Sequence, residues 1–141
     1  IPEGFVPENN VYEVELNFKF DRNDAPFGLD LCVGEGRRLP VRFDPSTDTF
    51  TVDRTNCADV EIEKFPMTKS EVIATDGENL HMRIFVDQSS VEIFLEEGRH
   101  SFSFLTYPSE NQCGLEFYSE GKGPRCSYRI WPLESIWKKI D

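Results

Sequence analysis

The sequence predicts an all-β domain, a two-sheet antiparallel β-sandwich of the jelly-roll or lectin-like kind, from three observations. Apolar residues alternate with polar residues at a period of two in several separate runs, which is the pattern of half-buried strands. The 12 Phe, 4 Tyr and 2 Trp favour strands over helices. The 9 Gly and 9 Pro supply frequent turns. Roughly nine or ten short strands in two stacked sheets, about 10 Å apart, are therefore expected.

The length of the chain predicts a single domain. A chain of 141 residues can bury about 68% of its unfolded surface, enough for a core without metal or disulfide support. Residues 1–10 contain two prolines and no apolar period, so we interpret them as a linker from a missing N-terminal domain and 11–141 as the sandwich. The chain begins with Ile1 instead of Met, which favours a fragment or a processed product.

The first half of the chain predicts four strands and a long connection. Residues 12–20 show the cleanest alternation, with apolar residues at every even position. Three further strands, around residues 27–33, 39–43 and 50–52, are joined by tight turns and predict a meander. Residues 56–79 have little pattern, and we expect a connection that crosses between the sheets, with a short strand at 71–74.

Residues 82–100 predict a double hairpin around which the rest of the chain is organised. Apolar residues fall at even positions up to Val86 and at odd positions from Val91, so a loop with an even number of residues puts both sets on one face. The turn is assigned to Asp87, Ser89 and Ser90, whose short side chains accept hydrogen bonds from nearby backbone N–H groups.

Gly98 is assigned to the second turn of this hairpin, in a position that needs a positive φ. An even residue count in that turn puts Phe102, Phe104 and Thr106 on the inward face. Two later strands are expected at residues 114–119, with Leu115 and Phe117 on one side, and at 127–131. Pro132 then predicts a sheet edge or a bend.

The double hairpin also carries a resemblance. The run Phe-Val-Asp-Gln-Ser-Ser-Val-Glu-Ile-Phe, then Glu-Glu-Gly-Arg and Tyr107-Pro108, is similar to the signature of the C-terminal β-sandwich of glycoside hydrolase family 32. The family contains invertases, levanases, inulinases and sucrose-6-phosphate hydrolases. It usually shows Asp-Arg-Ser-Ser and Asn-Asp-Gly where this chain has Asp-Gln-Ser-Ser and Glu-Glu-Gly. The departures leave the domain assignment intact and leave the individual member undefined.

The resemblance implies a non-catalytic domain. The family's catalytic residues lie in an N-terminal five-bladed propeller, in Asn-Asp-Pro-Asn-Gly, Arg-Asp-Pro and Glu-Cys motifs, and none of the three occurs here. We therefore expect no catalytic residue in this chain and, in the parent protein, hydrolysis of sucrose or fructans by the missing propeller. A serine triad is also not expected, because only His81 and His100 can serve as the base.

The outward face of the double hairpin predicts an interface. Pairing Val86 with Val91 places Phe85 beside Glu92 and Arg83 beside Phe94, on the side away from the core. Large aromatic residues on the nominally wet face indicate that this face is covered, and the resemblance makes the propeller the expected partner. The alternative is that one sheet is merely irregular. Oligomer contacts are a second role that the same face allows.

Sugar binding is the alternative function. Trp131 and Trp137 can stack on sugar rings, which would make the chain a free-standing binding module for sucrose or β-fructans. Tryptophans more often fill a core or seal an interface.

Charge and cysteine content narrow the partners. The formal net charge of −11 argues against nucleic acid and anionic membranes. No apolar run of about 18 residues and no signal peptide is found. The four widely spaced cysteines, Cys32, Cys57, Cys113 and Cys126, form no CxxC pair, so we expect free thiols, no metal site and no cofactor. The compartment, cytoplasmic or secreted, stays open.

Overall fold

The computed structural model describes residues 11–57, 68–106, 108, 112, 114–121 and 123–132. Ten strands make up this part of the chain, and the fold class predicted from the sequence is confirmed. The predicted linker (1–10), Cys113 and Trp137 lie outside the described residues. The strands are β1 (Tyr12–Lys19), β2 (Phe27–Gly34), β3 (Arg37–Asp44), β4 (Thr49–Asp53), β5 (Thr68–Val72), β6 (Asn79–Val86), β7 (Ser90–Leu95), β8 (His100–Leu105), β9 (Gly114–Ser119) and β10 (Arg125–Pro132).

Two five-stranded antiparallel sheets form the sandwich. The first sheet has the order β10-β1-β6-β7-β8, and the second has the order β5-β4-β3-β2-β9. The meander β2-β3-β4 is confirmed as three adjacent strands. The connection between β5 and β6 passes from the second sheet to the first, as the sequence predicts. Pro132 ends β10 at an edge of the first sheet, where a missing N–H does least harm to the ladder.

The double hairpin has the predicted register. Val86 pairs with Val91 and Leu95 pairs with His100, so each turn spans an even number of residues. Phe102, Phe104 and Thr106 are consequently buried on the inward face. A shift of one residue would have exposed this whole set, which is why the alternation defines the register so firmly.

Aromatic rings join the two sheets at both ends of the core. Phe18 of β1 contacts Phe27 of β2 with ring centroids 4.9 Å apart. Phe50 of β4 contacts Phe102 of β8 at 5.0 Å. These tilted contacts between facing strands add to the area that the rings bury, and they hold the sheets in one alignment.

The edge strand β5 differs from its prediction. The sequence predicts a short strand at 71–74, whereas β5 spans Thr68–Val72 and pairs only with β4. All five of its side chains are exposed, so no apolar alternation marks it. Ile73 is fully buried directly after the strand and its N–H donates to the Asp48 carbonyl over 2.7 Å, which explains why the apolar signal lies too far along the chain.

Candidate interaction face

The outer face of the second sheet is polar and its charges are internally paired. Asp30, nearly buried, accepts hydrogen bonds at 2.6 Å from Arg38 and lies 2.8 Å from a guanidinium nitrogen of Arg42. Across Gly28, which has no side chain between them, the Arg42 guanidinium stacks 3.5 Å from the ring centre of Tyr118. The polar groups of such a face are hydrogen-bonded while it is exposed to water, so the face does not need a partner domain to cover it.

The outer face of the first sheet carries more apolar surface. Trp131, Glu13, Phe85, Glu92 and Ser103 form one row across all five strands. Trp131 is 38% exposed and Phe85 is partly exposed. This row and the row beside it form the surface that we call the outer face. The adjacent row consists of Arg129, Glu15, Arg83, Phe94 and Ser101.

The two hairpin aromatics pack on each other and remain outside the core. Phe85 and Phe94 meet edge to face, with ring centroids 5.8 Å apart and planes at 87°. Both rings are partly exposed and neither belongs to the buried cluster between the sheets. The register that predicted Phe85 beside Glu92 and Arg83 beside Phe94 is confirmed.

Arg83 pairs with a residue that the sequence did not indicate. Its Nε donates to the Glu13 carboxylate on β1, and its guanidinium lies 5.6 Å from the Phe85 ring centre. Glu92 is exposed and stands opposite Phe85. Glu13 is only 9% exposed, an unusual burial for a carboxylate on an outward face. Aromatic neighbours on both sides, Phe85 and Trp131, account for it.

A cleft lies between this face and the turn that follows β7. It has a volume of about 510 Å³ and is lined by Glu15, His81, Arg83, Phe85, Phe94, Glu97 and Gly98. We call it the outer cleft. Its polar wall is Glu15, which approaches His81 Nε2 to 3.5 Å, and its apolar wall is the pair of phenylalanines.

The first hairpin turn is a hydrogen-bonded structural turn. The Asp87 N–H donates to the Ser90 carbonyl over 2.9 Å, and the Asp87 side chain accepts from the Gln88 N–H over 2.7 Å. The Ser89 carbonyl accepts the Thr106 N–H over 3.0 Å, which ties the turn to the end of β8. The carboxylate and the carbonyls at this turn therefore accept hydrogen bonds from backbone N–H groups.

The second hairpin turn is conformationally costly. Glu96, Glu97 and Gly98 have φ values of 52°, 58° and 87°. These values lie in the left-handed region, which is unfavourable for residues other than glycine. The Glu96 side chain accepts the His81 N–H over 3.0 Å, and the Glu96 N–H donates to the His81 carbonyl over 3.0 Å. These two bonds hold the turn against β6.

The remaining candidates of the sequence are separated in space. His81 contacts Glu15, and His100 Nδ1 lies 3.3 Å from Glu71 on β5, so the two histidines pair with glutamates on different strands. Trp131 lies at one end of the outer face, opposite Glu13.

Metal and membrane features are absent from the described part of the chain. Over these residues no group of three or more His, Cys, Asp or Glu side chains is arranged to hold a metal ion. No helix within the described ranges is long and apolar enough to cross a membrane.

The three cysteines in the described ranges, Cys32, Cys57 and Cys126, are part of the sandwich. Cys32 and Cys57 are buried, and the Gln112 side chain donates to both of their carbonyls, over 3.3 and 2.8 Å. Cys57 and Cys126 are free thiols. Burial raises the pKa of the Cys126 thiol to about 11, so it stays protonated near neutral pH and is a poor nucleophile.

The arrangement defines a class of protein: an antiparallel β-sandwich domain with one polar outer face and one aromatic outer face. The sequence profile described as "Glycosyl hydrolases family 32 C terminal" matches residues 3–132. The chain therefore belongs to the C-terminal domains of glycosyl hydrolase family 32. The resemblance seen in the sequence is thus confirmed.

Individual relatives agree with this family. The levanase of Bacillus sp. (strain L7) is 31% identical over 137 residues, which is 94% of this chain and 15% of the relative. The sucrose-6-phosphate hydrolase of Streptococcus mutans serotype c is 29% identical over 79% of this chain and 22% of the relative. The chain thus spans less than a quarter of the length of either protein.

A solved structure shows the same fold. The exo-inulinase of Aspergillus awamori matches with a TM-score of 0.85 over 96% of this chain and 27% of that chain. Its sequence identity is 23%, so the likeness concerns the architecture.

Proposed function

We propose that this chain is the non-catalytic C-terminal sandwich of a β-fructofuranosidase and that it stabilises a catalytic propeller in the same polypeptide. The parent protein would hydrolyse sucrose or fructans. In support, the relatives are named as a levanase and a sucrose-6-phosphate hydrolase, and the chain matches only a small share of each. Residues 1–10 would link the two domains.

The carboxylates support a structural role. Retaining hydrolysis of a glycoside needs a nucleophile and a general acid about 5 to 5.5 Å apart, both free to face a sugar. Among the residues that the structure describes, the buried carboxylates on the outer surfaces, Glu13 and Asp30, are instead engaged by arginines. The family's three catalytic motifs are absent from the sequence.

One observation carries the docking part of the proposal. Strand alternation leaves one face of an antiparallel sheet to water, yet the outer face presents Phe85, Phe94 and Trp131, and it buries Glu13. The corresponding face of the second sheet presents Tyr118 over an arginine, among paired charges. The outer face is the surface that gains more from leaving water, so we propose that the propeller covers it.

Domain association after cleavage tests the proposal. A protease site is introduced between the two domains of the full-length polypeptide, and gel filtration then measures whether the pieces stay together. Phe85→Ser and Phe94→Ser should weaken the association. Tyr118→Ser, which removes a partly exposed ring from the outer face of the second sheet, is the matched control and should not. Unchanged association in both hairpin variants would contradict the proposal.

A further inference from the structure

We infer that the outer cleft binds an arginine side chain presented by the catalytic domain of the same polypeptide. The inference rests on the proposed function, because it names the chemistry of the partner group at the same face. It follows from two carboxylates in the cleft that pair with no arginine or lysine among the described residues, from the turn that carries one of them, and from the aromatic wall beside them.

The outer cleft has a surplus of negative charge. Arg83 is neutralised by Glu13, so the carboxylates of Glu15 and Glu97 remain. Among the described residues, Glu15 makes an ion-pair contact only with His81, at 3.5 Å, although Arg129 and Arg83 are its neighbours on the adjacent strands, and Glu97 makes none. A neutral partner surface laid over this cleft would strip water from two carboxylates without compensation, which is costly. A cationic group offsets that cost.

The turn after β7 fixes the backbone position from which the Glu97 carboxylate reaches the cleft. Glu96 and Glu97 both adopt left-handed backbone conformations, at φ 52° and 58°, where each costs about 1 kcal/mol relative to glycine. The two hydrogen bonds between Glu96 and His81 anchor the turn to the sheet. The Glu97 backbone is therefore held beside the cleft before any partner arrives, and only its exposed side chain has to be ordered on binding.

The aromatic wall selects arginine among the possible occupants. A guanidinium is planar, stacks on aromatic rings and donates paired hydrogen bonds to carboxylates. Phe85 and Phe94 supply the rings, and Glu15 and Glu97 supply the acceptors. A sugar needs donors as well as acceptors, whereas the Glu15 and Glu97 carboxylates only accept and the Arg83 Nε–H is already directed at Glu13. The chemistry of the cleft thus matches a cation better than a neutral saccharide.

The test uses the cleaved full-length polypeptide described above. The Glu15→Gln/Glu97→Gln double variant should raise the dissociation constant of the two pieces at least about tenfold at low salt. It should also flatten the salt dependence seen in the unchanged protein, because an ion pair has been removed. The control is Glu71→Gln/Glu116→Gln, which removes the same formal charge at exposed sites away from the cleft and should change the constant less than about twofold.

Each outcome has a defined meaning. Equal weakening in the two double variants would overturn the inference, since net charge alone would then act. If Phe85→Ser weakens the association of the two pieces and Glu15→Gln/Glu97→Gln does not, the inference is overturned and the proposed function stands. Association that survives every variant would contradict the proposed function itself.

Other occupants are tested on the isolated chain. Saturable heat on titration with fructo-oligosaccharides, abolished by Glu97→Gln, would assign the cleft to a saccharide and overturn the inference. Light scattering that shows a dimer dependent on Glu97 would assign it to a second copy of the chain and overturn it equally. Thermal melts that match the unchanged chain establish that the variants are folded.

Discussion

Gly28 is the position where a single added methyl group should damage the sandwich most. A Cβ built there lies 1.9 Å from the Val41 carbonyl oxygen and 2.9 Å from the Val41 carbonyl carbon, both backbone atoms of the neighbouring strand. Real Cβ atoms essentially never approach within 3.0 Å, so β2 and β3 would have to move apart by about 1 Å. The pair of Gly28 with Arg42 is the point where that movement begins.

The cost follows from what the movement disturbs. Forcing extra volume into a well-packed site costs about 1 to 3 kcal/mol, and the stacking of Arg42 on Tyr118, worth about 0.5 to 1 kcal/mol, would be disturbed as well. We expect Gly28→Ala to lower the free energy of unfolding by about 3 kcal/mol or more. Gly36 and Gly98 are matched controls, because each has a positive φ, 72° and 87°, and no atom within 4 Å of an added Cβ. Their alanine variants should each cost about 1 kcal/mol.

Urea unfolding of the isolated chain measures these differences. The midpoint should fall in all three variants at an unchanged slope, and it should fall at least about twice as far for Gly28→Ala as for the controls. A Gly28→Ala variant no less stable than Gly98→Ala would refute the reasoning, because the clash would then be absorbed at no cost. A Gly98→Ala variant as stable as the unchanged chain would refute the backbone argument for the second turn.

Three further predictions concern single side chains. Glu97→Asn should raise the free energy of unfolding by about 0.5 kcal/mol, because asparagine tolerates the left-handed conformation at φ 58° better than glutamate; a lower urea midpoint would contradict this. Burial raises the pKa of Asp53, but hydrogen bonds from the Thr55 side chain and backbone and from Thr68 outweigh this effect and hold the pKa below 3.8. The stability that the Asp53 carboxylate contributes is therefore present above pH about 4 and is lost as the pH falls through the lowered pKa. Asp53→Asn should therefore flatten the acid side of a stability curve by less than about 1 kcal/mol, given its solvent screening, and an unchanged curve would count against those hydrogen bonds. Cys126, with its pKa raised to about 11, should react with a disulfide reagent at neutral pH far more slowly in the folded chain than in urea, followed by mass spectrometry of the labelled peptide; equal rates would contradict the burial argument.

The strands that the sequence identifies are those whose side chains alternate between core and water. Residues 12–20 and the double hairpin were predicted with their faces and register, because a period of two leaves only one pairing that buries the apolar set. β5 carries no such signal, since both of its faces are exposed at the edge of the second sheet. Its position depends on pairing with β4, which no local pattern encodes.

The candidate face was predicted in part for the same reason. Arg83, Phe85, Glu92 and Phe94 lie on two adjacent strands joined by a short turn, so their neighbourhood follows from local register. Glu13 was missed, because its contact with Arg83 requires β1 to lie beside β6, about 70 residues away in sequence. The acidic turn is a third case: Glu-Glu-Gly replaces the usual Asn-Asp-Gly, and only the backbone shows that both glutamates are left-handed.

Radical footprinting of aromatic side chains most directly tests whether the outer face of the first sheet is the covered one. Oxidation rates of single residues are compared between the isolated chain and the full-length polypeptide, by mass spectrometry. Phe85, Phe94 and Trp131 should become protected in the full-length protein, while Phe117 and Tyr118 should keep their rates. Protection of Tyr118 with unchanged oxidation of Phe85 and Phe94 would place the partner on the second sheet and contradict docking through the first sheet.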